Sequence, residues 1–442
     1  MKYPEYKTYS KKKDHSQYPT SWSVQRLRFS ITSNPIKSEV NEIDDVTLVS
    51  FVPMESVSEK GSINVSKAKE KGEVYSGYTY FAENDILIAK ITPCFENGKG
   101  AKAKGLINGI GFGTTEFHVL RPNTEINADW LLYLTQSHLF RKKGEAEMIG
   151  AGGQKRIPED YIKNYLVGVP CSDEQQKIAA FLDWKTGQID ALIKKKKQII
   201  EKLEEQRTSV ITQAVTKGLN PNAPMKDSEI PWLGKVPQHW DVLRAKFVSQ
   251  VFVPERSKPE LNSTNGIPWI TMENIGESNL STPNRFVSQS ALIETGSRKL
   301  SPNAVISSCV GNFGQASINQ FECVINQQLQ AYICSKVAPK FLRFCILTSK
   351  DYFESKATAS TLAYVNKKGF EEMTIPLPSE DEQRKIIQYV EKKVLYITET
   401  KKLAKQAILK LTEYRSSLIT AATTGKIDVR DVKIPSLKGG QV

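Results

Sequence analysis

Residues that could do catalytic chemistry are few, and their spacing does not suit catalysis. The Gly-Lys pairs at 98–99, 234–235 and 425–426 are followed by Gly, Val and Ile rather than Ser or Thr, so none forms the phosphate-binding loop of ATPases. The Asn/Asp-Pro-Pro-aromatic motif of amino-methyltransferases and a Gly-x-Gly-x-x-Gly loop are both absent. The sequence therefore supports neither ATP hydrolysis nor methyl transfer, and we assign no catalytic residue.

Metal ligands are equally sparse. The four histidines form no His-Glu-x-x-His, and the six cysteines form no Cys-x-x-Cys, although zinc sites usually show such spacing. We therefore expect no metal in this chain. The cysteines also lack paired spacing, which predicts reduced thiols and a cytoplasmic protein.

Composition points to a polyanionic partner. The chain of 442 residues has 61 Lys and Arg against 48 Asp and Glu, a net charge of +13, and no single segment holds the excess. Its length favours two or more domains. No apolar run approaches the roughly 18 residues that span a bilayer, and the charged start, 1–13, does not resemble a signal peptide. We expect neither export nor membrane insertion.

Several polar groups have the chemistry to contact DNA. The segment 150–156 places flexible glycines beside an amide and two cations, and 326–328 offers amides of the kind that read adenine. An ordinary turn or solvated surface is the alternative for each segment. The candidate DNA-binding residues are Lys90, Lys99, Lys102, Lys104, Thr114, Thr115, Gln154, Lys155, Arg156, Arg298, Lys299, Asn312, Gln315, Asn326, Gln327, Gln328, Tyr364 and Lys367.

The chain is an internal duplication. Residues 19–29, PTSWSVQRLRF, match residues 237–247, PQHWDVLRAKF, and residues 170–178, PCSDEQQKI, match residues 378–386, PSEDEQRKI. The two matches have different offsets, so each half has a variable body and a constant tail. Strand and helix patterns recur in the same order in both bodies, which predicts two mixed α/β domains.

The constant tails predict two long helices. Ser172 begins a capping box two residues after Pro170, and Ser379 begins one directly after Pro378. Apolar residues then recur every seven positions. Leu192 and Ile199 are predicted at the second seam position of the first helix. The residues assigned to the coiled coil and to subunit docking are Asp173, Glu174, Gln175, Ile178, Leu182, Ile189, Leu203, Val210, Asp381, Glu382, Gln383, Ile386, Val390, Ile397, Leu411 and Leu418.

These patterns together predict an α+β fold with internal pseudo-twofold symmetry, in which two globular domains are separated by two helices that pair as an antiparallel coiled coil. The predicted domains are 1–171 and 218–378, the helices are 172–217 and 379–424, and 425–442 is a C-terminal tail. The alternative is a heptad helix that merely dimerises the chain, which having both helices in one chain disfavours.

The repeated openings and Asp-Glu-Gln tails resemble the specificity subunit of Type I restriction-modification systems. The fullest opening, 230–240, reads IPWLGKVPQHW, whereas residues 1–17 lack the Trp-Leu-Gly part. The resemblance implies two target recognition domains that each read half of a bipartite site on double-stranded DNA, and helices that set the spacing. It also implies two modification subunits, which bind S-adenosylmethionine and methylate adenine, and restriction subunits, which use ATP and Mg²⁺, as partners.

Two other classes of function remain open. A DNA-modifying enzyme would need its own catalytic centre, and the absent motifs count against it. A coiled-coil scaffold without DNA specificity would be unaffected by exchange of residues 19–170 for a related domain.

Overall fold

The computed structural model describes residues 2–11, 14–151, 153–262, 265–276, 278–281, 283–358 and 363–435. The chain forms two compact units. The first comprises Met1–Lys196 with Lys405–Val442, and the second comprises Lys197–Ala404.

Ten α-helices lie in the described part of the chain. Eight are short, and two of 46 and 44 residues follow the two bodies. The helices are α1 Lys71–Tyr75, α2 Ala128–Gln136, α3 His138–Ala146, α4 Glu159–Asn164, α5 Ser172–Lys217, α6 Gln289–Thr295, α7 Pro339–Thr348, α8 Lys350–Lys356, α9 Lys367–Glu372 and α10 Glu380–Thr423.

The first unit holds two four-stranded sheets, β6-β5-β10-β7 and β4-β11-β8-β9, and the two-stranded pairs β1-β2 and β3-β12. Its strands are β1 Tyr6–Lys11, β2 Asp14–Pro19, β3 Ser23–Arg26, β4 Ile31–Ser33, β5 Leu48–Val52, β6 Ala68–Glu70, β7 Thr79–Ala82, β8 Ile86–Ala89, β9 Gly100–Lys102, β10 Ile110–Gly113, β11 Phe117–Pro122 and β12 Leu166–Val169.

The second unit holds the four-stranded sheets β16-β23-β20-β21 and β17-β19-β18-β22 and the pairs β13-β14 and β15-β24. Its strands are β13 Met225–Asp227, β14 Lys235–Pro237, β15 Asp241–Arg244, β16 Ser249–Phe252, β17 Leu261–Asn262, β18 Ile267–Ile270, β19 Phe286–Val287, β20 Val305–Ser308, β21 Ala316–Ile318, β22 Val324–Ile325, β23 Leu329–Cys334 and β24 Thr374–Leu377.

The two bodies share one plan, as the duplication predicted. In each, one four-stranded sheet is wholly antiparallel and the other contains a single parallel pair, β5 with β10 and β18 with β22. The repeated tryptophans, Trp22 and Trp240, are buried core residues at 4% and 0% exposure. The predicted fold class of two mixed α/β domains with two packed long helices is confirmed.

The long helices pack against each other in opposite directions. In the first unit the start of α5, with Ile178 and Leu182, shares a buried cluster with Leu418 near the end of α10. In the second unit the end of α5, with Ile211, shares a buried cluster with Ile386 at the start of α10.

Two polar pairs fix the register of this seam. Asp190 lies 3.4 Å from Nε of Arg415 in the first unit, and Glu204 pairs with Lys401 in the second. Fourteen residues forward along α5 therefore correspond to fourteen residues back along α10.

The prediction that Leu192 and Ile199 lie at the second seam position is wrong. Their side chains are 47% and 42% exposed, whereas Ile193 is buried and Ile200 is partly buried. Two neighbouring residues are apolar at each of these positions, 192–193 and 199–200. A heptad pattern alternates spacings of three and four residues, and the sequence alone does not show which of the two neighbours faces α10. Packing against α10 selects the second residue of each pair.

The duplicated Gln of the Asp-Glu-Gln tail ties each long helix to its body. Gln175 accepts a hydrogen bond from the backbone N–H of Asn127 (2.8 Å) and donates to the carbonyl of Pro170 (3.0 Å). Gln383 likewise accepts from Ala338 N (2.9 Å) and donates to the carbonyl of Pro378 (3.0 Å). Both amides are buried, so each satisfies backbone groups that water does not reach.

The duplicated Glu accepts different donors in the two units. Glu174 accepts from the hydroxyl of Tyr3 (2.5 Å), and Glu382 accepts from the indole of Trp240 (2.9 Å). The indole N–H of Trp22 has no partner in the described part of the chain. The divergent opening of the first half thus replaces a tryptophan donor with a tyrosine.

The two helix starts also differ. Ser379 accepts a hydrogen bond from Glu382 N (3.3 Å), as an N-cap should. α5 begins at Ser172 itself, so this serine lies in the first turn and the predicted capping role is wrong by one residue.

Candidate nucleic-acid interface

Three segments of the first unit meet where β8 ends, and we call their meeting point the first junction. The backbone N–H of Lys90 donates to Glu116 O (2.7 Å), and the N–H of Ile157 donates to Lys90 O (3.0 Å). The first junction comprises residues 90–92, 114–118 and 155–157.

A tight loop leads into this junction. Arg156 and Ile149 exchange both backbone hydrogen bonds, at 2.8 and 3.0 Å. Gly150 has φ +137°, and a Cβ there would lie 2.8 Å from the carbonyl oxygen of Gln154. Only glycine satisfies both constraints. Gly152 of the predicted flexible segment lies outside the described residues, and the last residue of that segment, Arg156, is fixed in place.

The first junction is rich in charge. Arg156 donates to Glu116 through Nε (3.0 and 3.2 Å) and Nη2 (2.8 Å), and this bidentate contact lowers the pKa of the Glu116 carboxyl. Lys90 donates to the carbonyl of Thr115 at 2.9 Å, and burial lowers the pKa of its ammonium. Lys155 is exposed beside them.

The buried side chain of His118 contacts the backbone of the first junction. Its Nε2 lies 2.9 Å from the carbonyl of Ile157, to which it donates as a neutral imidazole. Within the described residues Nδ1 has no partner. Burial lowers the pKa of His118 from 6.5 to about 4, because a second ring proton would be desolvated and unpaired.

The second unit contains an equivalent second junction, made of residues 309–311, 326–330 and 363–365. Cys309 N donates to Gln328 O (2.9 Å), and Val365 N donates to Cys309 O (2.9 Å). Gln330 donates through Nε2 to the carbonyl of Val365 (3.0 Å), as His118 does to Ile157. Residues 359–362, directly before the third segment, lie outside the described residues.

The two junctions share a frame and differ in side chains. An antiparallel bridge joins Ile91 to Arg156 in the first and Val310 to Tyr364 in the second. Tyr364 of the second junction therefore occupies the position that Arg156 has in the first. Gln328 likewise occupies the position of Glu116. One scaffold therefore presents a charged surface in one body and a neutral, amide-rich surface in the other.

Some predicted DNA-binding residues form these junctions. In the first, Lys90, Thr114, Thr115, Lys155 and Arg156 lie together, with Gln154 in the adjoining loop. The residues that lie in or next to the second are Asn312, Gln315, Asn326, Gln327, Gln328 and Tyr364.

Other candidates have protein partners. Lys102 pairs with Asp129, Lys299 with Glu322 (3.1 Å) and Lys367 with Glu371 (3.4 Å).

Glu255 accepts hydrogen bonds from two more of the predicted DNA-binding residues. Arg298 donates to its carboxylate (3.0 Å), and Gln327 donates to its backbone carbonyl (2.9 Å). Lys99 is partly buried and Lys104 is exposed; both lie outside the first junction.

Sequence reasoning missed three residues. Glu116 follows the Thr-Thr pair on the same turn and His118 lies at the start of β11, but nothing in the sequence pairs Glu116 with a residue forty positions later. Arg256 is exposed and lies close enough to Tyr364 to lower its pKa, which burial raises more strongly. Its backbone carbonyl also lies 3.4 Å from Nε2 of Gln327, so Arg256 is a cation beside the otherwise neutral second junction.

The described part of the chain offers neither a metal site nor a membrane span. Among the described residues, no group of three His, Cys, Asp or Glu side chains could hold a metal ion. No helix in that part of the chain is both long and apolar enough to cross a bilayer.

Two bodies of one plan, with different side chains on an equivalent junction, define a duplicated recognition protein. Residues 30–205 and 237–410 match the family model described as the Type I restriction modification DNA specificity domain. The chain belongs to this family and contains two copies of its domain.

Relatives carry the same assignment. The chain is 43% identical over 164 residues to the Type I restriction enzyme EcoEI specificity subunit of Escherichia coli. It is 44% identical over 165 residues to the EcoAI specificity subunit of the same species. Each match covers 37% of this chain and 27% of the relative, so the chain spans about a quarter of their length. The putative MjaX specificity subunit of Methanocaldococcus jannaschii is 24% identical over 95% of this chain and 97% of its own.

Solved structures share the fold. A chain from work on complex assembly and conformational transition of the type I R-M system has a TM-score of 0.77, with 18% identity, and the match covers 93% of this chain and 99% of that one. The HsdS subunit from Thermoanaerobacter tengcongensis has a TM-score of 0.59, also with 18% identity, over 93% and 98%.

The buried histidine predicts acid sensitivity. The unfolded chain binds a proton at His118 near pH 6.5, whereas the folded chain does so only near pH 4. His118 therefore stabilises the fold above pH 6.5, and that stability, about 3 kcal/mol at most, is lost as the pH falls toward 4. We expect His118→Gln, which keeps a donor as Gln330 does, to lower this loss in thermal unfolding across that range.

His138→Gln, at an exposed histidine, is the matched control and should unfold like the parent protein. An equal loss of stability in the parent and in His118→Gln would show that His118 is not the group responsible.

Proposed function

We propose that this chain recognises DNA for a Type I restriction-modification complex, with each body reading one half of a bipartite, asymmetric site. The observation that carries the proposal is the pair of junctions, equivalent in backbone frame and different in side chains. On this proposal residues 1–171 and 218–378 are the target recognition domains. Because the two surfaces differ, the two half-sites differ in sequence.

The charge of the chain supports DNA as the ligand. The net charge is +13, and Lys155 and Arg156 lie exposed at the first junction, with Arg256 exposed at the second. Cations beside amide groups combine phosphate contacts, which position a protein on a duplex, with groups that read base edges.

The long helices would set the distance between the half-sites. Segments 172–217 and 379–424 are the proposed spacer. An antiparallel seam with polar pairs at fixed places, Asp190 with Arg415 and Glu204 with Lys401, holds one register. A helix pair in one register has a defined length, at ~1.5 Å per residue, as a molecular ruler requires.

The outer faces of these helices would dock partner subunits. Tyr389, Tyr396 and Leu403 of α10 recur every seven residues and are 40%, 70% and 63% exposed. Leu192 and Ile199 form a similar exposed pair on α5. Regular apolar spacing on an exposed helix face is typical of a surface that packs against another helix.

A duplicated chain offers such surfaces twice, which suits two copies of one partner. We propose that these partners are two modification subunits, with restriction and translocase subunits joining the complex. S-adenosylmethionine, ATP and Mg²⁺ would bind those subunits, and this chain would supply the DNA sequence specificity. The complex would act in the cytoplasm.

The first test is a map of modified bases. We expect cells that express this chain with its modification subunit to methylate adenine at a two-part motif with a fixed gap, detected by sequencing native DNA. Exchange of residues 19–170 for a related domain should change one half of the motif alone. A soluble complex that leaves no new motif would favour a scaffold without DNA specificity.

The ruler can be shortened by one heptad. Removal of residues 195–201 from α5 and the facing residues 404–410 from α10 shortens both helices by ~10 Å, about three base pairs of DNA at 3.4 Å each. The same sequencing should show both half-sites unchanged and the gap shorter by about three. An unchanged gap in a folded, active variant would contradict the ruler.

The exposed apolar residues Tyr389, Tyr396 and Leu403 of α10, which we call the docking stripe, can be tested by substitution. Tyr396→Glu with Leu403→Glu places two carboxylates where a partner helix should pack, so we expect co-purification with the modification subunit to fall steeply. The variant should still fold, because both side chains are exposed. Gln388→Glu with Gln406→Glu adds the same charge at other exposed positions of α10 and should assemble normally. Equal assembly of both variants would exclude the stripe.

A further inference from the structure

The guanidinium of Arg156 is held on one edge and open on the other. Nε and Nη2 donate to the two oxygens of Glu116. Within the described residues Nη1 makes no hydrogen bond, and the side chain is 49% exposed. Two N–H groups, one on Nη1 and one on Nη2, therefore point away from Glu116 along the free edge of the planar fork.

The backbone below this fork is equally constrained. Arg156 forms bridges to Ile149 on one side and to Ile91 on the other, and Gly150 closes the loop with a conformation that favours glycine. The carboxylate of Glu116 then fixes the direction of the long side chain. A side chain ordered before binding loses less entropy when it binds.

A free guanidinium edge matches one base. In the major groove guanine presents two neighbouring acceptors, N7 and O6, and arginine contacts both through parallel N–H groups. Adenine presents a donor at N6 beside N7, which such an edge cannot pair with in full. Lys155, exposed next to Arg156, adds a second cation of the kind that contacts phosphates.

The second junction has no arginine held by a glutamate at the equivalent positions. Tyr364 occupies the position of Arg156 and Gln328 that of Glu116. The side chain of Gln328 accepts from Asn326 (3.2 Å) instead of holding a cation. Among the described residues, the position of Arg156 thus carries an arginine in the first junction and a tyrosine in the second.

We propose that Arg156 reads a guanine in the half-site of the first body, with Glu116 as the positioning residue that aims it. This inference rests on the proposed function and adds to it the base and the residue that reads it. The substrate feature is a G·C pair contacted from the major groove.

The test compares Arg156→Gln, Arg156→Lys and Glu116→Gln by motif sequencing and by binding to duplexes in which each half-site position is varied. We expect Arg156→Gln to lose discrimination at one G·C position of one half-site by on the order of tenfold or more. Arg156→Lys should retain affinity better than base preference, because an ammonium cannot form the bidentate contact.

Glu116→Gln should weaken the same base preference while Arg156 is still present. A purely structural role for Glu116 would instead lower the melting temperature or weaken binding to all duplexes alike. Arg28→Gln, which removes one exposed cation from the first body, is the matched control. It should leave the preference at every position unchanged.

The outcomes separate the inference from the proposed function. A parent protein without a bipartite motif would overturn the proposed function itself. A bipartite motif with no G·C requirement in the half-site of the first body, or one that Arg156→Gln leaves unchanged, would overturn the role of Arg156 alone. If Arg156→Gln does not fold, Arg156→Lys and Glu116→Gln decide, and unchanged base preference in both overturns the inference.

Discussion

The antiparallel packing of α5 and α10 is the interaction on which the rest of the structure depends. A long helix with polar outer faces gains most of its stability from tertiary contacts. In the first unit the buried cluster that contains Trp22 and Trp130 also contains Ile178 of α5 and Leu418 of α10. The seam is thus part of the core of the body, and in the second unit Trp240 shares a cluster with Ile211 and Ile386 in the same way.

The attachment of each helix to its body follows from the same duplication. Gln175 and Gln383 satisfy backbone groups at the start of α2 and α7 and the buried carbonyls of Pro170 and Pro378. Removal of either amide would leave a buried carbonyl without its partner, which costs about 1–3 kcal/mol. A body attached through buried hydrogen bonds cannot swing freely about the start of its helix. A fixed attachment is what a spacer needs if its length is to be read as a distance along DNA.

The proposed recognition surfaces are separate from this framework. The junctions keep their backbone hydrogen bonds in both bodies while their side chains change from Arg156 and Glu116 to Tyr364 and Gln328. Because the frame is built from main-chain groups, side chains on it can differ without loss of the fold. Such an arrangement would let one fold serve the two different half-sites of the proposed function.

The sequence by itself determined the duplication, the two bodies, the long helices, the absence of catalytic motifs and the family, because each depends on local composition or on repeats along the chain. Tertiary structure alone decided which residue of the pairs 192–193 and 199–200 faces α10, since both are apolar and spacing permits either. It alone paired Arg156 with Glu116, left its outer edge open, and placed Lys102 against Asp129. These are contacts between distant segments, and no periodic pattern in the sequence records which side chains meet when the chain folds.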